Sequence, residues 1–272
     1  MWTYAKLGWT SARRCWFLLL LLFLYQYTWG FLLFKYVKST VVPILHRYPG
    51  EQLPAGASQL FWMEGQFQMM KTDLLTPYIW TFAAFVAVRM LITPLINGGL
   101  YHALHYRNGG QRRSFFTGAR KYAKPFLLLY MLQMAVTFVP LLWLIPHGTN
   151  AVTAAADWRE MAVGLLPWIV GWLVYQGILE LAFMYVGFGI VAERSGWASL
   201  GTFVRYAFNA FGLALLVFAV TMGIAVAVAA ASLWWAGFLA VMIHQAYPLV
   251  RAILRLWGIS SQHQLWSSKR IT

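Results

Sequence analysis

At 272 residues, 61% hydrophobic and only 10% charged, with a mean hydropathy of +0.61, the chain lies far outside the composition of water-soluble domains. Its 21 Lys and Arg against seven Asp and Glu leave a formal charge of +14, and one cysteine, Cys15, excludes an intrachain disulfide and a cysteine-cluster metal site. What remains is an all-α polytopic membrane bundle, a single integral membrane domain over 1–272.

In chain order, the basic stretch Met1 to Arg14 followed by CWFLLLLLFLYQ resembles a secretory signal. The apolar run continues through Tyr27 to Phe34 without a small-x-small cleavage site, so an uncleaved first span is predicted over 15–34. Five more follow at 78–101, 125–146, 162–191, 207–230 and 232–250, about six in all, several of which reach or exceed the roughly 20 residues that cross a bilayer. Pro125 and Pro146 bracket the third, while Pro94, Pro140, Pro167 and Pro248 lie within spans and predict kinks. The longest connection, 35–77, contains SQLFWMEGQFQMM, read as a docked interfacial helix in preference to a substrate-gating lid.

Lys and Arg set the orientation, because short loops keep positive charge on the cytoplasmic side. With both termini inside, that side holds 15 of the 21 basic residues and only Glu193 as an acid, whereas the outer side carries five of each sign. The whole formal charge of +14 therefore sits on the cytoplasmic face. A pI near 10.1 also suits nucleic acid, but the topological bias accounts for the pattern, and nucleic-acid binding is not expected. The partner expected is the bilayer itself, its anionic headgroups contacting Arg112, Arg113, Arg120, Lys121, Lys124 and Arg205 at the cytoplasmic face. A protein partner is left unspecified.

Two cytoplasmic connections look alike. Residues 112–126 place Phe115, Ala119, Tyr122 and Phe126 on one helical face, and residues 193–211 do the same with Trp197, Leu200, Val204 and Ala207. A shift of 84 residues matches Lys121, Tyr122 and Ala123 with Arg205, Tyr206 and Ala207. Span, amphipathic surface helix and span thus occur twice, at 77–146 and 161–230, as a parallel repeat about an axis along the membrane normal. Convergence of two amphipathic segments on one geometry is the alternative.

The run GGLYHALHYRNGGQRRSFFTGARKYAKPFLLLY resembles a group of six-helix bacterial membrane proteins. The second run, with Glu193, Gly196, Trp197, Ala198, Ser199 and Phe203, is similar to the membrane domain attached to some glycerophosphodiester phosphodiesterases. The resemblance covers about a quarter of the chain and implies a six-span helical fold in a bacterial cytoplasmic membrane. The soluble phosphodiesterase domain is absent, so the resemblance implies no catalytic residue.

Ionisable residues inside spans are costly and therefore candidate sites. Arg89 lies 12 residues before the cytoplasmic end of its span and Glu180 lies 11 before that of its own, both ~17 Å deep. Equal depth predicts a buried ion pair with Gln176 one turn from Glu180, read as a packing clamp ahead of a transport site. Gln133 and His244 complete the mid-membrane set, His244 being read as an interhelical hydrogen-bonding residue rather than a proton relay. His102 and His105 share a helical face without a third metal ligand, so neither a metal nor a cofactor is expected. Gly223, Ala227 and Ala231 read as a packing seam, and Trp16, Trp80, Trp143, Trp234, Trp235 and Trp257 as interface anchors.

No Walker loop, H-E-x-x-H, G-x-S-x-G or paired intramembrane aspartate occurs. The function expected is a non-catalytic membrane component, lipid-associated or transport-related. The alternative is a permease with a polar site between the repeats.

Overall fold

A computed structural model describes residues 1–45, 76–106, 110–154, 158–234 and 238–269. These form nine helices and no strand. They are α1 (Trp2–Arg14), α2 (Trp16–Leu45), α3 (Thr76–His105), α4 (Gln111–Lys121), α5 (Ala123–Ala154), α6 (Trp158–Val191), α7 (Gly196–Arg205), α8 (Ala207–Trp234) and α9 (Phe238–Lys269). Five described segments are long and apolar enough to cross a membrane: Trp16–Ser39, Tyr78–His105, Ala123–Pro146, Ala162–Val191 and Ala207–Ser232. Each lies within a few residues of an expected span. The sixth, 232–250, includes 235–237, outside the described residues, and its helix runs 19 residues further, to Lys269. The expected interfacial helix in the 35–77 connection also lies outside the described residues. Pro146 does not end its helix: α5 continues to Ala154.

The chain divides into two compact units, Leu22–Ile92 and a larger one made of Met1–Leu21 with Thr93–Thr272. In the smaller, α2 and α3 are joined by Tyr36, whose hydroxyl donates to the Tyr78 carbonyl at 2.9 Å while its ring meets Phe82 and Phe85.

The larger unit is organised around the second half of α9, which α1, α6, α7 and α8 all contact. Ala252, Leu256, Ile259, His263 and Trp266 recur at helical spacing and are buried, as are Ser260, Ser261 and Gln262 on the other side. Small residues let α1 approach closely: a β-carbon on Gly8 would stand 2.6 Å from the Ser261 Cα. The Trp257 indole donates to the Ala5 carbonyl at 2.8 Å, and Gln264 donates to the Ser11 hydroxyl at 3.2 Å, so residue numbers rise together and the two helices run parallel. Trp257 is therefore a core residue and not the interface anchor expected of it. Trp16, Trp80, Trp143 and Trp234 are exposed, and Trp235 lies outside the described residues.

Burial matches the repeat at some positions and not at others: Pro94 and Ser114 are buried where Ile178 and Ala198 are exposed. At an offset of 84, buried Tyr101, Ala103, Leu104, Phe115 and Phe126 correspond to buried Tyr185, Gly187, Phe188, Ser199 and Ala210. The matched Lys-Tyr-Ala and Arg-Tyr-Ala triplets are the same structural break. Tyr122 (φ −102°, ψ 10°) and Tyr206 (φ −114°, ψ 24°) each end a surface helix immediately before a span. Both keep the bond four residues back, to Gly118 and Thr202, and both accept from four residues on, Phe126 and Ala210. In each, a cation lies over the tyrosine ring, Lys121 at 5.3 Å and Arg205 at 5.7 Å.

Candidate functional site

The mid-membrane set divides among elements. Arg89 is exposed on α3 within the Leu22–Ile92 unit, whereas Gln133, Gln176 and Glu180 belong to the larger unit. The Arg89 to Glu180 pair therefore stays an expectation. The side chain of His244 lies outside the described residues.

Gln133 and Gln176 do come together in height. Tyr175 donates to the Val136 carbonyl at 2.9 Å and Trp143 packs edge-on against Trp168 at 5.2 Å, so α5 and α6 run antiparallel. That register brings Gln133 within a turn of Gln176, both half-buried, with Glu180 one turn along α6 and exposed. Trp172 Nε1 and Gln176 Nε2, one turn apart, are buried without a hydrogen-bond partner among the described residues. In the small-residue seam of α8, Gly223 has nothing within 4 Å of a β-carbon position among the described residues and Ala227 is exposed, while Ala231 is half-buried.

At the other end of these spans, α4 builds a basic groove. Gly110, at φ 87°, makes the left-handed entry to the helix, a conformation that disfavours any residue with a β-carbon. Close approach fixes what α4 sits on: a β-carbon on Gly99 would lie 2.8 Å from the Phe115 carbonyl, and one on Gly118 2.7 Å from the His102 ring. His102 Nδ1 lies 2.8 Å from the Ser114 carbonyl, the Ser114 hydroxyl donates to Tyr106, and Gln111 donates to the Arg14 carbonyl on α1. Phe115, Tyr122 and Phe126 are buried on the face the sequence predicts. The outer face then holds an open cavity of about 740 Å³ lined by Gly110, Gln111, Arg112, Arg113, Phe116, Thr117 and Arg120. Three guanidiniums, a hydroxyl, an amide and one half-exposed aromatic ring suit a phosphate ester with an apolar body.

Beside the groove, Lys121 donates to Glu193, an ion pair linking the two repeats. That contact holds the Glu193 carboxyl below the usual range and raises the Lys121 amine. Tyr122 donates to the Val191 carbonyl at 3.1 Å, and burial raises its phenol. Glu193 closes α6 in a left-handed conformation, φ 56°, with Arg194 N–H bonded five residues back to the Gly189 carbonyl, a Schellman-type end normally occupied by glycine.

Of the residues expected to contact lipid, Arg112, Arg113 and Arg120 line the groove, Lys121 and Lys124 are exposed beside it, and Arg205 is exposed at the equivalent break in the second repeat. On the second surface helix, α7, Trp197 and Val204 point outward and the buried residues are Ser199 and Phe203.

The sequence reading missed the polar cluster of α9. Tyr185 donates to Gln262 Oε1 and Gln262 Nε2 to the Ala210 carbonyl, both at 2.9 Å, and His263 Nε2 lies 3.4 Å from His105 Nδ1. The period of apolar residues through Ala252, Leu256 and Ile259 is the signal that marks it. A cavity of about 30 Å³ lined by Ser11, Cys15, Ala103, Leu104, Ser260, His263 and Gln264 has the size of one water and is too small for a substrate. No group of three metal-ligating side chains occurs among the described residues.

Helices of this length and apolarity, with amphipathic helices between them, define an all-α membrane protein. No family model, curated protein or solved structure matches the chain.

Proposed function

We propose that this chain is a non-catalytic, lipid-associated component of a bacterial cytoplasmic membrane, both termini cytoplasmic, whose basic face holds anionic phospholipid headgroups. The observation that carries the reading is the open groove of α4, where Arg112, Arg113 and Arg120 surround Phe116. Guanidiniums pair with phosphate oxygens in a fork geometry that lysine does not offer, and an exposed ring beside them meets the upper acyl chain.

The test is lipid analysis of protein purified in mild detergent from a membrane containing phosphatidylglycerol and phosphatidylethanolamine. Phosphatidylglycerol should be enriched in the wild type and return to the bulk ratio in the Arg112→Gln, Arg113→Gln, Arg120→Gln variant. Equal lipid content in both proteins would remove the basis of the proposal.

A second reading, a permease with a polar site at mid-depth, is favoured by the unpartnered donors of Trp172 and Gln176 at the height of Gln133. A permease loses function on Gln176→Leu at unchanged protein level. A scaffold gains stability from the same change, because an unpaired buried donor is replaced by a hydrocarbon.

A further inference from the structure

The two repeats present one helical face outward with opposite chemistry. At the 84-residue offset, Arg113, Arg120 and Lys124 of the first correspond to Trp197, Val204 and Phe208 of the second. All six are exposed, and the second set is 82%, 67% and 88% accessible. Beneath them, buried Phe115 and Phe126 correspond to buried Ser199 and Ala210, so both outward rows lie opposite a docked side.

A row of exposed Trp, Val and Phe is unfavourable in water by about 25 cal/mol per Å² of apolar surface. The row does not stop at the Tyr206 break. It continues along α8 through Leu215, Met222 and Val226, all exposed, at spacings of seven, seven and four residues, within the candidate span Ala207–Ser232. One continuous stripe has one solvent, and along α8 that solvent is hydrocarbon. The junction carries its own level marker: Arg205 and Lys269 both stand over the Tyr206 ring, at 5.7 and 5.1 Å. Cations around a tyrosine at a span end belong at the headgroup level of the membrane.

We infer that α7 is an interfacial wedge, seated in the boundary between acyl chains and headgroups with its Trp197 and Val204, and Phe208 at the start of α8, toward the hydrocarbon, while α4 rides higher, at the phosphates. The occupant of the α7 face is the leaflet itself. The inference rests on membrane embedding and is independent of which headgroup α4 selects.

Single-cysteine variants Trp197→Cys, Val204→Cys, Arg113→Cys and Arg120→Cys, with buried Cys15 retained because it is shielded from reagent, are spin-labelled and reconstituted into vesicles of phosphatidylglycerol and phosphatidylcholine. Power-saturation spectroscopy then compares collision with oxygen, which partitions into lipid, and with a water-soluble nickel chelate. Labels at 197 and 204 should meet oxygen several-fold more than nickel, and labels at 113 and 120 the reverse. Nickel access at 197 and 204 equal to that at 113 and 120 places α7 in water and overturns the inference. Shielding from both reagents assigns the face to a second copy or another protein, and lipid-like values at all four positions abolish the contrast between repeats. Phe208→Cys, one turn further, repeats the measurement should either α7 variant fail to reconstitute.

Discussion

Gly8 is where the larger unit tolerates least. Its missing β-carbon is what allows α1 to lie on the backbone of α9 at Ser261, so Gly8→Ala should destabilise by about 1–3 kcal/mol through overpacking against atoms that cannot rotate away. Gly171 on α6 has nothing within 4 Å of the same position, and Gly171→Ala should be neutral or stabilising by the ordinary helix preference. Thermal melts in detergent of the two variants check this contrast. Glu193 makes a second pair of opposed effects, since its backbone sits where glycine is favoured while its carboxylate holds Lys121. Glu193→Gly should raise Tm by about 2–4 °C, whereas a β-branched Glu193→Val should lower it. The ion pair adds a pH dependence. The carboxyl is depressed in the fold, so its contribution is present above the ordinary glutamate value of about 4.3 and fades as pH falls through the lower folded value. The lysine is raised, so its contribution holds below about 10.4 and is lost as pH rises through the higher folded value. The Tm difference between wild type and Glu193→Gln should therefore be flat from about pH 5 to 9 and shrink below about pH 4.

Among the elements, α9 shows most clearly what hydropathy conceals. Arg251, Arg255 and the run SSQH are polar and follow the last apolar stretch, yet Ser260, Ser261, Gln262 and His263 are buried in the larger unit. Serine is small enough for α1 to approach, and Gln262 is paired at both ends of its amide, so polarity and burial coexist. Gln262→Leu should cost about 2 kcal/mol, because it strands the buried Tyr185 hydroxyl and removes the second bond to the helical Ala210 carbonyl, and Tyr185→Phe about 1 kcal/mol. Denaturant or thermal unfolding of both variants tests the ordering. The surface helices give the complementary lesson. On α4 the apolar face is the buried face, so Phe115, Tyr122 and Phe126 were legible from periodicity. On α7 the greasiest stripe, Trp197 and Val204, is exposed, and the buried one contains Ser199 and Phe203. Periodicity finds the most apolar side of a helix, and beside a membrane that side need not face protein.

For the molecule as a whole, the spans were legible because 20-residue apolar runs have few other physical explanations, and the repeat was visible at three positions of a register in which Tyr101/Tyr185, Phe115/Ser199 and Phe126/Ala210 are also buried in both halves. The mid-depth set was only partly legible. Gln133 and Gln176 share a height through the α5 to α6 register, but a single sequence carries no information on which faces of separate spans meet. The proposed Arg89 to Glu180 clamp has its own test: Arg89→Glu and Glu180→Arg should each lower the yield of folded protein several-fold, and the double reversal should restore it. Harmless single reversals would dissolve the pair.

The central claim, that the basic face selects anionic lipid through α4, is tested most directly by lipid competition in nanodiscs. The ratio of phosphatidylglycerol to phosphatidylcholine bound is measured at low and high salt for the wild type and for the variant with Arg112, Arg113 and Arg120 changed to glutamine. At about 1 kcal/mol per basic residue, the account predicts selectivity roughly 100-fold weaker in the variant at low salt and a difference that narrows as salt screens the charges. Selectivity that is the same in both proteins, or indifferent to salt, would contradict it.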